Sequence, residues 1–277
     1  MCQPRSLGAG PTTTTRRPEG IAIVQNAPSR NRGVIRLFCV PHAGAGPSAF
    51  RGWKEQLGPE IEAIIVQLPG REGRFREEPY QSFELLVSDL AEAVLPFLGA
   101  GQRFAFFGNS LGGLIAFESL HEIRRRTGYE AAHLFVSATG APQLHPVLPP
   151  MGHLGNRELI REVSERYGGI PLAILEDEDF LAAVVPALRA DICMLEAYER
   201  AVPQPLSCPI TAFGGKLDRT VPPAHIEGWR DQTTSSFTQV LLDEDHLYLQ
   251  SAREYLTGYI RETLQAFACL PALKGSE

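Results

Sequence analysis

An apolar run, Arg103–Phe107, is separated from an amphipathic run, Leu111–Arg126, by little more than Gly108-Asn109-Ser110-Leu111-Gly112. A strand and a helix joined through so few residues must turn sharply. A serine at that bend is forced into a strained backbone, which lifts its hydroxyl clear of the sheet edge. Glycines two positions to either side remove the Cβ atoms that would collide there. The pentapeptide is a weak signal by itself; its setting between strand and helix gives it weight.

The rest of the 277 residues repeats this alternation. Short apolar runs at Ile35–Val40, Ala63–Gln67, Phe104–Phe107, Leu134–Ser137, Ile210–Phe213 and Thr238–Leu242 predict strands. They read as nearly continuous hydrophobic stretches, as expected when helices cover both faces of a parallel sheet. Helices are predicted at Ala49–Leu57, Phe83–Leu98, Leu111–Arg126, Ala224–Asp231 and Leu247–Phe267, with Ser82 as an N-cap. Between about 141 and 205 the alternation fails. There Asn156–Tyr167 and Phe180–Arg200 look helical, with Pro149, Pro150, Pro171 and Pro186 as punctuation. Such an insertion after a core strand predicts a helical lid over the site. Residues 1–32 are rich in Pro, Thr and Arg, with no apolar core of a signal peptide, and predict a disordered leader. Residues 33–277 are expected to form one α/β domain, a mostly parallel central sheet flanked by helices.

A serine hydroxyl needs a base to act as a nucleophile at neutral pH. His246 is the best placed, after the last predicted strand in Leu242-Asp243-Glu244-Asp245-His246. His121 and His133 flank the predicted helix and strand after Ser110, while His145, His153 and His225 lie in loops or the insertion. Asp218, in the loop after the penultimate strand, is the favoured partner for His246; Asp243 and Asp245 are nearer in sequence but read as solvated loop carboxylates. The resulting order Ser…Asp…His is that of the α/β-hydrolase arrangement. An oxyanion needs two fixed N–H donors. Leu111, directly after the serine, supplies one. Ala43, in the small-residue loop Pro41-His42-Ala43-Gly44-Ala45-Gly46 after the first strand, is expected to supply the other.

The composition narrows the alternatives. A net charge of −6 disfavours nucleic acid and anionic membrane as partners. Five scattered cysteines, with no CxxC pair, predict reduced thiols in a cytoplasmic protein rather than a disulfide framework or a zinc site. No Walker loop, HExxH or Gly-x-Gly-x-x-Gly after a strand is present, so neither metal nor nucleotide cofactor is expected.

With these pieces in place, the chain resembles the stand-alone type II thioesterases of polyketide and non-ribosomal peptide assembly lines, over roughly residues 37–267. The resemblance rests on Pro41-His42-Ala43-Gly44, Gln67-Leu68-Pro69-Gly70-Arg71-Glu72, Gly108-x-Ser110-x-Gly112, Pro186-Ala187-Leu188-Arg189-Ala190-Asp191, Gly214-Gly215, Asp218 and His246. It implies an α/β-hydrolase fold and a cofactor-free serine thioesterase. The implied substrate is an acyl or aminoacyl thioester on the phosphopantetheine arm of an acyl or peptidyl carrier protein, and the implied task is editing of stalled or aberrant groups. Asn109 stands where the family usually has His, and Ala45-Gly46 modifies the usual Gly-Gly turn. Arg71, Arg74 and Arg76 are expected to offer a basic patch to an acidic carrier, with Arg124–Arg126 a weaker candidate and Arg189 a structural one. A product-releasing acyltransferase or cyclase, an oxygen-ester hydrolase and a non-catalytic carrier-binding module are the competing readings.

Overall fold

The computed structural model describes residues 21–24, 33–99, 101–144, 148–168, 177–199 and 204–268. Within them, seven strands form one sheet: β1 (Ala22–Val24), β2 (Ile35–Val40), β3 (Ile61–Gln67), β4 (Phe104–Asn109), β5 (His133–Ser137), β6 (Ile210–Gly215) and β7 (Phe237–Leu242). Their order is β1-β3-β2-β4-β5-β6-β7. β1 pairs antiparallel with β3, and every other pairing is parallel. The mostly parallel, helix-flanked sheet expected from the alternation is present.

The continuous apolar runs follow from this layering. All six residues of β2 and all six of β4 are buried. Because side chains alternate along a strand, Phe38 and Val40 pack into one layer with Leu114 and Trp229, while Leu37 and Cys39 pack into the other with Trp53 and Ile260. The first layer is closed by α2 (Phe83–Val94) and α3 (Leu111–Thr127), the second by α1 (Trp53–Leu57) and α7 (Arg253–Ala268). Ser82 caps α2, its Oγ accepting the Leu85 N–H at 3.2 Å.

Between β5 and β6 lie α4 (Asn156–Tyr167) and α5 (Glu178–Glu196). They share a third apolar cluster, including Met151, Leu159, Ile160, Leu181 and Leu188, separate from the two sheet layers. α6 (Pro223–Glu227) then precedes β7.

Four expectations need correction. The predicted disordered leader contains β1, with Ala22 opposite Gln67; the apolar run Ile21-Ala22-Ile23-Val24 meets the otherwise open edge of β3. Residues 1–20 and 25–32, like Pro171 and His145, lie outside the described residues. The first predicted helix is broken at Gly52, at φ +82°, into a 3₁₀ turn and α1. α7 begins at Arg253, not Leu247, because the intervening turns bury Tyr248 beneath the end of β5. α5 spans Glu178–Glu196, not Phe180–Arg200, and runs through Pro186 as the expected helix did. Among the described residues no helix is long and apolar enough to cross a membrane.

Close packing around the β4–α3 junction makes a stability prediction. A Cβ at Gly112 would lie 2.3 Å from the Val40 carbonyl oxygen and 2.5 Å from that of Pro41. Gly112→Ala is expected to lower unfolding free energy by about 3 kcal/mol or more, because backbone cannot yield as a side chain can. Gly258, inside α7, is different: a Cβ added there would meet nothing within 4 Å. Gly258→Ala should therefore raise stability by about 0.5–1 kcal/mol. Urea unfolding midpoints of the two variants check both signs.

Candidate active site

Ser110 occupies the bend between β4 and α3 at φ +53° and ψ −122°. That region is costly for a residue with a side chain and persists only where the surroundings enforce it. Here the enforcement is visible. The Ser110 N–H donates to the Ser137 carbonyl at 2.7 Å, and the Gly113 N–H donates back to the Ser110 carbonyl at 2.8 Å. Ser137 is in turn fixed by Tyr248, whose hydroxyl oxygen accepts from Ser137 Oγ at 2.8 Å and from the Ala138 N–H at 3.0 Å. Gly108 has no room for a Cβ, which would lie 2.2 Å from the Gly112 carbonyl oxygen.

His246 follows β7 and is 5% exposed. Its Nε2 lies 3.2 Å from Ser110 Oγ, across 136 positions of sequence. Its Nδ1 lies 2.7 Å from Asp218 Oδ2. A carboxylate can only accept, so Nδ1 carries the proton and Nε2 presents its lone pair to the Ser110 hydroxyl. Asp218 is held by the loop after β6: its Oδ1 accepts from Thr220 N–H at 2.8 Å, Thr220 Oγ1 at 2.7 Å and Val221 N–H at 3.1 Å. Burial works to raise the Asp218 carboxyl, but the hydrogen bond and charge of His246, then Thr220, outweigh it and leave the group below its ordinary value. Asp243 instead meets Lys216 at 2.7 Å, and Asp245 Oδ1 accepts from the Leu247 N–H at 3.1 Å.

Ser110, His246, Ala43 and Leu111 all border a cavity of about 750 Å³. The described residues place no acceptor on the Ala43 or Leu111 amide. Two unengaged N–H donors beside a hydroxyl–imidazole–carboxylate relay can receive a developing oxyanion. No group of described His, Cys, Asp and Glu side chains is arranged to hold a metal ion.

Several contacts were not anticipated. The Tyr167 ring, ending α4, packs on the His246 ring at 4.8 Å between centroids. His42, beside Ala43, is pushed down to about 4, by burial and then by the neighbouring His246. Its neutral ring has Nδ1 3.4 Å from Asn109 Nδ2, so the two motif-bearing loops touch through side chains. The signal for this contact was the departure at Asn109. The remainder of the cavity wall comes largely from the inserted segment, through Met151, Val163, Leu188 and Ile192.

The expected basic patch is corrected in part. Arg71 is only 4% exposed and is paired with Asp191, so it cannot face a partner. Arg74 is engaged by Glu77 and by the Gln67 carbonyl. Arg76 is exposed and lies over the Phe75 ring. Arg125 and Arg126 pair with Glu122, and Arg124 reaches the Pro205 carbonyl at 3.3 Å. Arg189 ties down the loop before α4, donating to the Leu154 carbonyl at 2.6 Å and to Asn156 Oδ1 at 2.9 Å.

Comparison with known proteins adds four observations. The thioesterase domain family model matches residues 35–264. The gramicidin S biosynthesis protein GrsT of Aneurinibacillus migulanus is 35% identical over 240 residues, covering 87% of this chain and 93% of that protein. Among solved structures, the RedJ thioesterase from the prodiginine pathway of Streptomyces coelicolor superposes with a TM-score of 0.76 at 35% identity, covering 83% and 90% of the two chains. The type II thioesterase BorB of the borrelidin cluster superposes at 0.77 with 28% identity, covering 88% and 97%.

The depressed Asp218 carboxyl fixes the sign of one prediction. Folding favours its ionised form, so its stabilisation is complete above the ordinary aspartate value of about 4 and is lost as pH falls through the lower folded value. Melting temperatures between pH 6 and pH 2 should therefore fall less steeply for Asp218→Asn than for the parent protein. Parallel acid limbs would contradict the assignment.

Proposed function

The chain belongs to the thioesterase domain family, and from that membership we propose that Ser110, His246 and Asp218 hydrolyse acyl groups from carrier-protein phosphopantetheine. The protein is a thioester hydrolase on an α/β-hydrolase scaffold. The observation that carries the reading is the continuous relay from Ser110 Oγ to His246 at 3.2 Å and on to Asp218 at 2.7 Å, opening onto one cavity.

The chemistry follows from the proton positions. Asp218 holds the His246 Nδ1–H and stabilises the imidazolium that forms when Nε2 takes the Ser110 proton. Ser110 Oγ bonds to the thioester carbonyl carbon, and the displaced electron pair moves to oxygen, where the Ala43 and Leu111 N–H groups receive it. Collapse expels the pantetheine thiolate, which takes the proton held on His246 Nε2 and leaves as the thiol, so the imidazole is neutral again. The thiol pKa is about 8.5, so departure demands little acid assistance. Water then gives a proton to His246 Nε2 as its oxygen attacks the Ser110 acyl ester, and a second collapse returns the serine and the free acid.

GrsT is named for gramicidin S biosynthesis, RedJ for the prodiginine pathway and BorB as a type II thioesterase. These names support an editing role, in trans, within a polyketide or non-ribosomal peptide assembly line. Helices α4 and α5, which wall the cavity above Ser110, act as its lid. The apolar Val163, Leu188 and Ile192 receive the acyl chain. Exposed Arg76 is the member of its group assigned to the acidic carrier. The unpaired state of the described cysteines Cys39, Cys193 and Cys208 supports a reducing cytoplasmic setting.

Hydrolysis of a panel of acyl-carrier proteins, followed by mass spectrometry of the released product, tests the reading. The free acid is expected; an ester, amide or ring would show a transferase or cyclase instead. Ser110→Ala should lose at least about 10⁴-fold in turnover, and Asp218→Asn about 10⁴-fold through loss of the correct imidazole tautomer. Undiminished turnover by Ser110→Ala would overturn the proposal.

A further inference from the structure

Asp191 is a buried carboxylate that the relay does not use. It sits on α5, 1% exposed, 120 positions from Arg71. Its Oδ2 accepts from Arg71 Nη1 at 2.5 Å and its Oδ1 from Arg71 Nη2 at 3.0 Å, a two-point pairing. Arg71 Nε donates to the Pro69 carbonyl at 3.2 Å, which fixes the guanidinium plane. An ion pair so enclosed often adds little net stability, and apolar residues of similar volume can replace both partners. Its geometry accounts for something else.

The same Oδ2 accepts the Gly44 N–H at 2.7 Å. Gly44 lies in the turn that carries Ala43. The Ala45 N–H closes that turn on the His42 carbonyl at 3.1 Å, and Gly44 is at φ +73°, the pattern of a type II turn. Ala43 therefore stands between two anchors, one internal to the turn and one supplied by Asp191. One helical turn before Asp191, Leu188 packs on the same glycine: a Cβ at Gly44 would lie 3.0 Å from Leu188 Cδ1 and 3.2 Å from its Cβ. Helix α5 thus grips the loop by a charged and an apolar side chain together. Without Arg71, the carboxylate would put an unbalanced negative charge one peptide from the place where an oxyanion must form.

We infer that Asp191 is a positioning residue for the oxyanion hole: locked by Arg71, it pins the Gly44 N–H and so holds the Ala43 N–H toward the carbonyl oxygen of an acyl group bound at Ser110. This rests on the proposed role of Ala43. It also makes seating of α5 and completion of the hole a single event, so an acyl group is attacked only beneath a docked helix.

The test is the double variant Arg71→Met with Asp191→Leu, which removes both charges together, beside Asp191→Asn, which keeps an oxygen for the Gly44 N–H. Turnover of an acyl-phosphopantetheine thioester is measured with affinity for a matched acyl trifluoromethyl ketone, whose Ser110 hemiketal carries the oxyanion. Circular dichroism checks folding. The folded double variant should lose kcat by about 10²-fold, as for loss of one oxyanion donor, with KM within about threefold and ketone affinity reduced in parallel. Asp191→Asn should recover kcat to about three- to tenfold below the parent. If Asp191 serves only the ion pair, the double variant will keep kcat within about threefold, or lose through KM alone, and the inference fails. Should the double variant not fold, Asp191→Asn alone decides: kcat and ketone affinity must fall by the same factor of about three to ten with KM unmoved, and any other pattern rejects the assignment. Ser110→Ala turnover, or failure of the parent protein to bind the ketone, would instead overturn the catalytic reading on which the inference stands.

Discussion

The backbone of Ser110, at φ +53°, sits where an L-residue is held only under compulsion, and the surrounding structure supplies it. Gly108 and Gly112 allow β4, β2 and α3 to approach within distances no side chain could share. The Ser137 carbonyl, braced by Tyr248, receives the Ser110 N–H. Relaxing that bend would swing the hydroxyl away from His246 and move the Leu111 N–H with it. The sheet therefore acts as the rigid body against which the bend is made, and its two buried layers prevent the chain from relieving the strain.

Three of the candidate site residues were readable because each follows the carboxyl end of a strand with a plain hydrophobic signature. Ser110 follows β4, Asp218 follows β6 and His246 follows β7. In a parallel sheet the carboxyl ends of the strands lie on one edge, so residues far apart in sequence meet there. The strand centres were legible for the same reason: β2, buried on both faces, has no polar interruption except Arg36, which answers Glu62 at 2.9 Å.

The unreadable parts share a different cause. Charged residues are presumed to face water unless a partner is known, and nothing in the local sequence around Arg71 announces Asp191. Two motif stretches, each with one charge that proves buried, were the available signal; their spacing gave no hint of contact. Tyr167 against His246 was hidden likewise, since an aromatic ending an amphipathic helix reads as ordinary packing. Proline ordinarily disrupts a helix interior, yet α5 runs through Pro186, as the helix expected over Phe180–Arg200 required. There the apolar contacts of Leu181, Val185 and Leu188 hold the helix together across the missing hydrogen bond.

A single dependence joins these features in the proposed mechanism: the hydroxyl of Ser110 reacts only if His246, 3.2 Å away, draws its proton. Stoichiometric labelling with an alkyl fluorophosphonate, read by intact-protein and peptide mass spectrometry, measures that dependence without reference to any natural substrate. One adduct per chain is expected, on the peptide bearing Ser110, with labelling suppressed in His246→Ala. An adduct on another side chain, or labelling of Ser110 at an unchanged rate without the imidazole, would contradict the account.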